Sequence, residues 1–197
     1  MANGNENEYE ISHDEHGLTL RFGEADKAAD GVQPRPVDEA DLVALAHVEA
    51  ELKDRWPETI IDPSLERIEL LLDLLGEPHK AYKVIHVAGT NGKTSTVRMI
   101  ESLLRAFGNR VGRTTSPHLQ QVTERIGIDG EPIHPADFVR VYREIQPYIE
   151  MVDERTGTPM SYFEVMVAIA FAAFADAPVD VAVVEVGMGG RWDATNV

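Results

Sequence analysis

A lysine followed by hydroxyls stands behind two glycines in Gly89-Thr90-Asn91-Gly92-Lys93-Thr94-Ser95. Glycines let backbone N–H groups turn inward around an anion. A helix opening at the same point adds partial positive charge, and a lysine there reaches the β- and γ-phosphates of a nucleotide. The hydroxyl of Thr94 is placed to hold Mg2+ or phosphate. Lys93 is therefore the candidate catalytic cation and Thr94 a candidate nucleotide contact. The common phosphate-loop pattern, G-x-x-x-x-G-K-[ST], would need a glycine at Val87, and here the first glycine is Gly89. The loop is a shorter variant of that pattern.

A second chemical signal is Glu185, which ends the apolar run Val181-Ala182-Val183-Val184. A strand beside a phosphate loop presents a carboxylate to Mg2+ in this way, and unpaired burial of that charge would be costly. An ion or a hydrogen-bond donor is predicted beside it; the plainer reading is a strand-end glutamate facing water. The loop that follows, Gly187-Met188-Gly189-Gly190-Arg191-Trp192, has Trp192 where a dinucleotide fingerprint G-x-G-x-x-G needs its last glycine. A nicotinamide-dependent dehydrogenase is excluded on that ground. His13 and His16 have a metal-like spacing, but they lie in an acidic polar stretch and read as part of a solvated tail.

These groups need elements to carry them. Residues 1–36 are rich in Asn, Glu, Asp and Gly and end in Pro34 and Pro36, which reads as a disordered extension. From Asp38 a helical period places Leu42, Leu45, Ala46, Glu49 and Leu52 on one face, with Pro57 just beyond its end. A second helix after Asp62-Pro63-Ser64 carries Leu65, Ile68, Leu71, Leu72 and Leu75. Residues 82–88 form a β-rich run into the glycine loop. The helix from Lys93 to Phe107 directs Val97, Ile100, Leu103, Leu104 and Phe107 inward. Arg110–Thr115 is a second strand, and Arg125–Ile133 a hairpin turning on Asp129-Gly130. Helices follow from Pro135 towards Asp153 and from Tyr162 to Ala175. The run 179–186 suits a strand buried on both faces of a parallel sheet. This order predicts an α/β fold with a parallel, doubly wound sheet and its site at the strands' C-terminal ends.

The 197 residues carry a net charge of −16, with 14 acids and 5 bases in residues 1–55 and 20 acids and 13 bases beyond. That balance argues against a binder of nucleic-acid backbone. The absence of cysteine excludes disulfides and thiolate-ligated metals, and it suits a reducing cytoplasm. No apolar stretch approaches the ~18 residues that a membrane helix needs, and Met1–Glu10 does not read as a secretory or mitochondrial leader.

Three separated segments carry a resemblance. The loop from Gly89 alone resembles the ATP loop of the Mur ligase superfamily. With it occur Thr115-Ser116-Pro117-His118-Leu119 followed by Thr123-Glu124-Arg125-Ile126, and Glu185-Val186-Gly187-Met188-Gly189-Gly190-Arg191-Trp192-Asp193-Ala194-Thr195-Asn196. In this order they resemble folylpolyglutamate synthase in its bacterial bifunctional form with dihydrofolate synthase activity. The resemblance covers Leu42 to Val197. Arg113-Thr114-Thr115 and Met188 with Trp192 look most like actinobacterial members.

The resemblance implies a Mur-ligase-like central ATPase domain and a ligase using ATP and Mg2+. Such an enzyme joins L-glutamate to dihydropteroate or to tetrahydrofolate polyglutamates through an acyl phosphate, with no nucleic-acid or membrane partner and commonly as a monomer. It implies ATP contacts at Thr90, Asn91, Gly92 and Lys93, and Mg2+ contacts at Ser116 and Glu185. It implies pterin contacts at Asp62, Pro63 and Ser64, at Ser161, Tyr162, Phe163 and Glu164, and at Trp192, Asp193 and Ala194. Many relatives have glycine at the position of Ser64 and leucine at that of Trp192.

Plainer readings stand beside several of these. His118 either braces its loop or touches substrate. Tyr162 and Phe163 open a core helix, where packing alone would explain them. Glu164 at a helix start is favoured by the helix dipole without any ligand. Arg125 and Arg191 are candidates for anionic substrate, and His86 reads as structural.

The chain stops directly after a Gly-rich loop. Residues 37–197 therefore read as the N-terminal part of an ATP-binding domain, incomplete at its C-terminus. The histidine metal ligand, carbamylated lysine and glutamate-ligase domain that the family needs would then lie beyond Val197, and this chain alone would not turn over. Two rivals share the phosphate loop: a Mur-type cell-wall amino-acid ligase and a non-catalytic nucleotide-binding module.

Overall fold

The computed structural model describes the backbone of residues 9–14 and 17–22, and residues 35–57 and 64–197 in full. Asp62, Pro63 and His16 lie outside the described residues, and the side chain of His13 does too. The chain divides into two units, Met1–Pro34 and Arg35–Val197. In the first, β1 (Tyr9–Asp14) pairs antiparallel with β2 (Gly17–Phe22), from Tyr9 opposite Phe22 to Asp14 opposite Gly17. This strand pair lies within the stretch that reads as a disordered extension. Tyr9, Ile11, Leu18, Leu20 and Phe22 alternate with polar residues at strand period, a signal hidden among the acids.

The second unit opens with α1 (Glu39–Lys53). Asp38 caps it reciprocally: its carboxylate accepts the Asp41 N–H at 2.8 Å, and the Asp41 carboxylate accepts the Asp38 N–H. The buried face of α1 is Leu45, Val48 and Leu52, whereas Leu42 and Ala46 face outward. Next come α2 (Glu66–Leu74), β3 (Lys83–Val87), α3 (Lys93–Ala106) and β4 (Val111–Thr114). The short strands β5 (Ile126–Ile128) and β6 (Glu131–Pro132) turn on Asp129 and Gly130, both at positive φ, as the Asp-Gly pair predicts. Then follow α4 (Pro135–Thr156), α5 (Tyr162–Asp176) and β7 (Val181–Glu185).

The sheet order is β3-β7-β4-β5-β6. The first three strands are parallel, and β5 and β6 add an antiparallel edge, so the sheet is mixed rather than parallel throughout. The last strand in sequence is the central one of the parallel three, which explains its unbroken apolar run. Its side chains alternate between the two faces. Val181 and Val183 join Val97 of α3 and Val111 of β4, while Ala182 and Val184 join the larger core built with α1, α2, α4 and α5. Helices therefore cover both faces of the sheet, as a doubly wound fold requires. Among the described residues no helix is long and apolar enough to cross a membrane.

On α3 the inward arc differs from the expected one. Leu103 and Phe107 are exposed, and Glu101 takes an inward position instead. Its carboxylate accepts from Arg113 Nε of β4 at 2.7 Å, and both side chains are buried.

Candidate active site

The three parallel strands each release their chain into one of the motif segments. β3 leads to Gly89–Lys93, β4 to Thr115–Leu119, and β7 to Val186–Asn196. In a doubly wound sheet this is the end at which ligands bind.

The first segment is a phosphate loop in form. Gly92, with φ of 73°, is the residue before α3, a left-handed conformation that glycine adopts without steric cost. Thr90, Asn91 and Gly92 are exposed, so the loop is open to a ligand. The Lys93 ammonium donates to the Gly89 carbonyl at 3.0 Å and folds back over its own loop.

Thr94 lies one residue into α3 and turns towards the sheet. Its hydroxyl donates to Glu185 Oε1 and Oε2 at 2.9 and 3.0 Å. The Ser116 backbone N–H donates to Glu185 Oε2 at 3.2 Å. Glu185 is only 4% exposed and ends the central strand. The donor predicted beside this carboxylate is thus present twice. A buried carboxylate served by a hydroxyl and an amide, with a second hydroxyl on Ser116, is a hard-oxygen donor set that fits Mg2+. No group of three or more His, Asp or Glu side chains among the described residues offers a denser metal site.

The loop after Ser116 is held by one carboxylate. Glu124 accepts the backbone N–H groups of Leu119, Gln120 and Gln121 at 2.9, 3.0 and 2.9 Å. These bonds, led by the one from Leu119, hold its carboxyl below the usual range. Leu119 is left 90% exposed at the loop tip. His118 Nδ1 accepts from Arg125 Nε at 2.9 Å, and the Arg125 guanidinium lies 5.1 Å over the Tyr162 ring. Burial first, and the Arg125 charge second, lower the His118 pKa. The bracing reading of His118 is present in this geometry.

The three segments implied as pterin contacts meet different fates. Ser64 and Trp192 line one groove together with Leu65, Glu69 and Arg191. Trp192 is 52% exposed there and stacks under the Arg191 guanidinium at 5.3 Å. Ser161 and Glu164 are buried at the start of α5 and form a reciprocal cap: Ser161 N–H donates to Glu164 Oε2 at 2.7 Å, and Glu164 N–H to Ser161 Oγ at 3.2 Å. Tyr162 and Phe163 are half-buried, and the Phe163 ring lies against the backbone of Gly187. Asp193 is buried and organises its own loop, accepting the N–H groups of Met188 and Thr195 and the Thr195 hydroxyl. Ala194 is packed into the main core. His86 holds the same loop to β3 through Thr195 Oγ1 at 2.7 Å, the structural part read for it.

Two groups at this end escaped the sequence reading. Glu124 gave no sign of its three amide bonds, because they are made by backbone. Arg67 gave a weak one: it sits one turn before Leu71 on the apolar side of α2. It is buried, and its Nε donates to Glu164 Oε1 and Oε2 at 3.1 and 3.3 Å.

The chain matches no protein-family model. It is 59% identical over 177 residues to the dihydrofolate synthase/folylpolyglutamate synthase of Mycobacterium tuberculosis, covering 86% of this chain and 36% of that protein. A solved Mycobacterium tuberculosis folylpolyglutamate synthase complexed with ADP superposes with a TM-score of 0.76 at 59% identity, over 80% of this chain and 35% of that one. Escherichia coli FolC in complex with DHPP and ADP superposes with a TM-score of 0.68 at 38% identity, over 77% of this chain and 35% of that one. The chain spans about a third of the length of these proteins, and the match falls in their N-terminal part. The fold, the glycine loop ahead of α3 and the buried Glu185 are thus found in a chain that belongs to the dihydrofolate synthase/folylpolyglutamate synthase family.

Proposed function

We propose that this chain is the nucleotide-binding part of an ATP-dependent ligase that joins L-glutamate to a pterin-linked carboxylate. The acceptors are dihydropteroate and tetrahydrofolate with its polyglutamates. The observation that carries this reading is the convergence of Thr94, Ser116 and Glu185 beside the loop from Gly89 to Lys93. The relatives complexed with ADP, and with DHPP and ADP, support it. They lend nothing to a cell-wall ligase or to a non-catalytic module.

In this reading the backbone N–H groups of residues 90–93 and the Lys93 ammonium take the phosphates of ATP, with Lys93 leaving the Gly89 carbonyl to do so. The Glu185 carboxylate, with the Thr94 and Ser116 hydroxyls, would hold Mg2+, which neutralises phosphate charge when bound. The acceptor carboxylate attacks the γ-phosphorus and ADP leaves, giving an acyl phosphate. The amine of L-glutamate then attacks the acyl carbon, and an amide, phosphate and a proton result. The protein's part is positioning and charge neutralisation. Ser64 and Trp192 offer a half-open groove with an apolar face suited to a flat pterin. Asp62 and Pro63 are assigned to the same contact by resemblance. Ser161, Glu164, Asp193 and Ala194 act from the interior, by shaping the backbone that Tyr162, Phe163 and Trp192 stand on. The working protein is a cytoplasmic monomer.

The test is glutamate incorporation by the full-length protein, assayed in parallel with 7,8-dihydropteroate and tetrahydrofolate. Product on both acceptors is expected. Product on tetrahydrofolate alone removes the first activity, and product on neither breaks the reading.

A further inference from the structure

Four contacts bind the start of α5 to parts of the chain about a hundred residues earlier. The Trp56 indole N–H donates to the Pro159 carbonyl at 2.7 Å, and the Tyr162 N–H donates to the Trp56 carbonyl at 3.2 Å. Arg55 donates to the Met160 carbonyl at 3.0 Å. Arg67, in the first turn of α2, pairs with Glu164 in the first turn of α5. Its guanidinium also lies 5.3 Å over the Trp56 ring. Glu164 passes the contact on, since the oxygen that accepts the Ser161 N–H belongs to the same carboxylate.

A buried ion pair is a weak source of net stability, because desolvation of both charges offsets their attraction. It is a strong source of register, because only one placement satisfies both partners. Arg67 follows Ser64 by three residues, and Glu164 follows Tyr162 by two. The pair thus sets the start of α2 against the start of α5.

We propose that Arg67, clamped between Glu164 and Trp56, is a positioning residue for the acceptor. It holds Ser64–Leu65 and Tyr162–Phe163 in one fixed register, so that the pterin-linked substrate meets them as a single wall. The proposal rests on the ligase reading above and adds to it a residue that touches no substrate. Arg67 lies outside the nucleotide loop and its Glu185 partner, so its loss acts on the acceptor and not on ATP.

The deciding variant is the double replacement Arg67→Met with Glu164→Met in the full-length protein. It removes both charges together, avoiding the orphaned charge that a single replacement leaves in the core. The expected result is an unchanged KM for ATP and an acceptor KM raised about tenfold, beside a lowered melting temperature from the Ser161 N–H that Glu164 no longer accepts. Arg67→Lys keeps the charge without the planar guanidinium and is expected to fall between. Acceptor and ATP constants equal to those of the parent protein would overturn the proposal. So would a lowered melting temperature with both KM values raised together, which marks a merely structural pair. Should the parent protein itself show no glutamate-dependent ADP release on any pteroate acceptor, the ligase reading fails and takes this proposal with it.

Discussion

The Thr94 hydroxyl spans both oxygens of the Glu185 carboxylate, at 2.9 and 3.0 Å, across 91 positions of sequence. This contact joins the first turn of the helix behind the phosphate loop to the end of the central strand. It fixes where a nucleotide and its metal would sit relative to the sheet. Thr94→Val keeps the shape and removes the donor, leaving a buried acceptor one partner short. The expected cost is about 1–3 kcal/mol, read by calorimetry as a lowered unfolding temperature, with Thr94→Ser restoring most of it. An unchanged unfolding temperature in Thr94→Val would remove the hydroxyl from this part.

Lys93 predicts the opposite pattern. Its ammonium rests on the Gly89 carbonyl of an open loop, where its loss leaves no buried partner. Lys93→Ala should therefore leave stability within about 0.5 kcal/mol. The charge-assisted bonds to phosphate that it forfeits are worth about 1.5–3 kcal/mol, roughly ten- to hundredfold in ATP affinity. Titration calorimetry on the full-length variant checks this, and an ATP affinity equal to that of the parent would assign the phosphates elsewhere.

The arrangement at this end was legible in the sequence where neighbours in the chain are neighbours in space. Gly92, Lys93 and Thr94 stand together because a helix starts among them. Glu185 was readable because an apolar run ends in an acid. What depends on tertiary pairing was not readable. Nothing local shows that β7 inserts between β3 and β4, or that β5 and β6 extend the sheet in the antiparallel sense. The buried arc of α3 departs from its apolar period for the same reason. Glu101 looks like a surface residue until Arg113 arrives from β4 to pair with it, and its inward turn sends Leu103 and Phe107 outward. Ser161 and Glu164 matched the family's pattern, but only the structure shows that their side chains cap a helix and hold Arg67.

Two glycines separate packing from the site. A methyl group on Gly112 of β4 would stand 2.7–2.9 Å from the buried Phe174 ring, in the middle of the main core. Gly112→Ala should destabilise by about 1–3 kcal/mol without a selective effect on either substrate. A methyl group on Gly187 would stand 2.3 Å from the half-buried Phe163 ring. Phe163 can yield towards solvent, so Gly187→Ala should cost less stability and weaken acceptor binding instead. Denaturant unfolding with parallel KM values for ATP and pteroate acceptor distinguishes the two. A Gly187→Ala protein with a parent-like acceptor KM would place Phe163 outside the acceptor wall.

His79 predicts a pH dependence that begins above the carboxylate range. It lies in the short turn Pro78–Lys80, its ring 6.0 Å from Phe171 of α5, and its Nδ1 is buried with no hydrogen-bond partner among the described residues. Burial, and then the Lys80 charge, push its pKa below the ordinary 6.5, with Glu77 opposing them. The folded protein therefore takes up this proton later than the unfolded chain as the pH falls. The stability tied to a neutral His79 is complete above pH 6.5. It declines from there to the lowered folded value and levels off below it. His118 is lowered in the same direction, mainly by burial and Arg125, and adds a second component in the same window. Urea midpoints measured from pH 7.5 to 5.5 should fall in the parent protein. His79→Phe fills the same place beside Phe171 with a ring that does not titrate, and it should flatten the slope in part, leaving the component of His118. A slope identical in parent and variant would show that the His79 proton is not linked to folding.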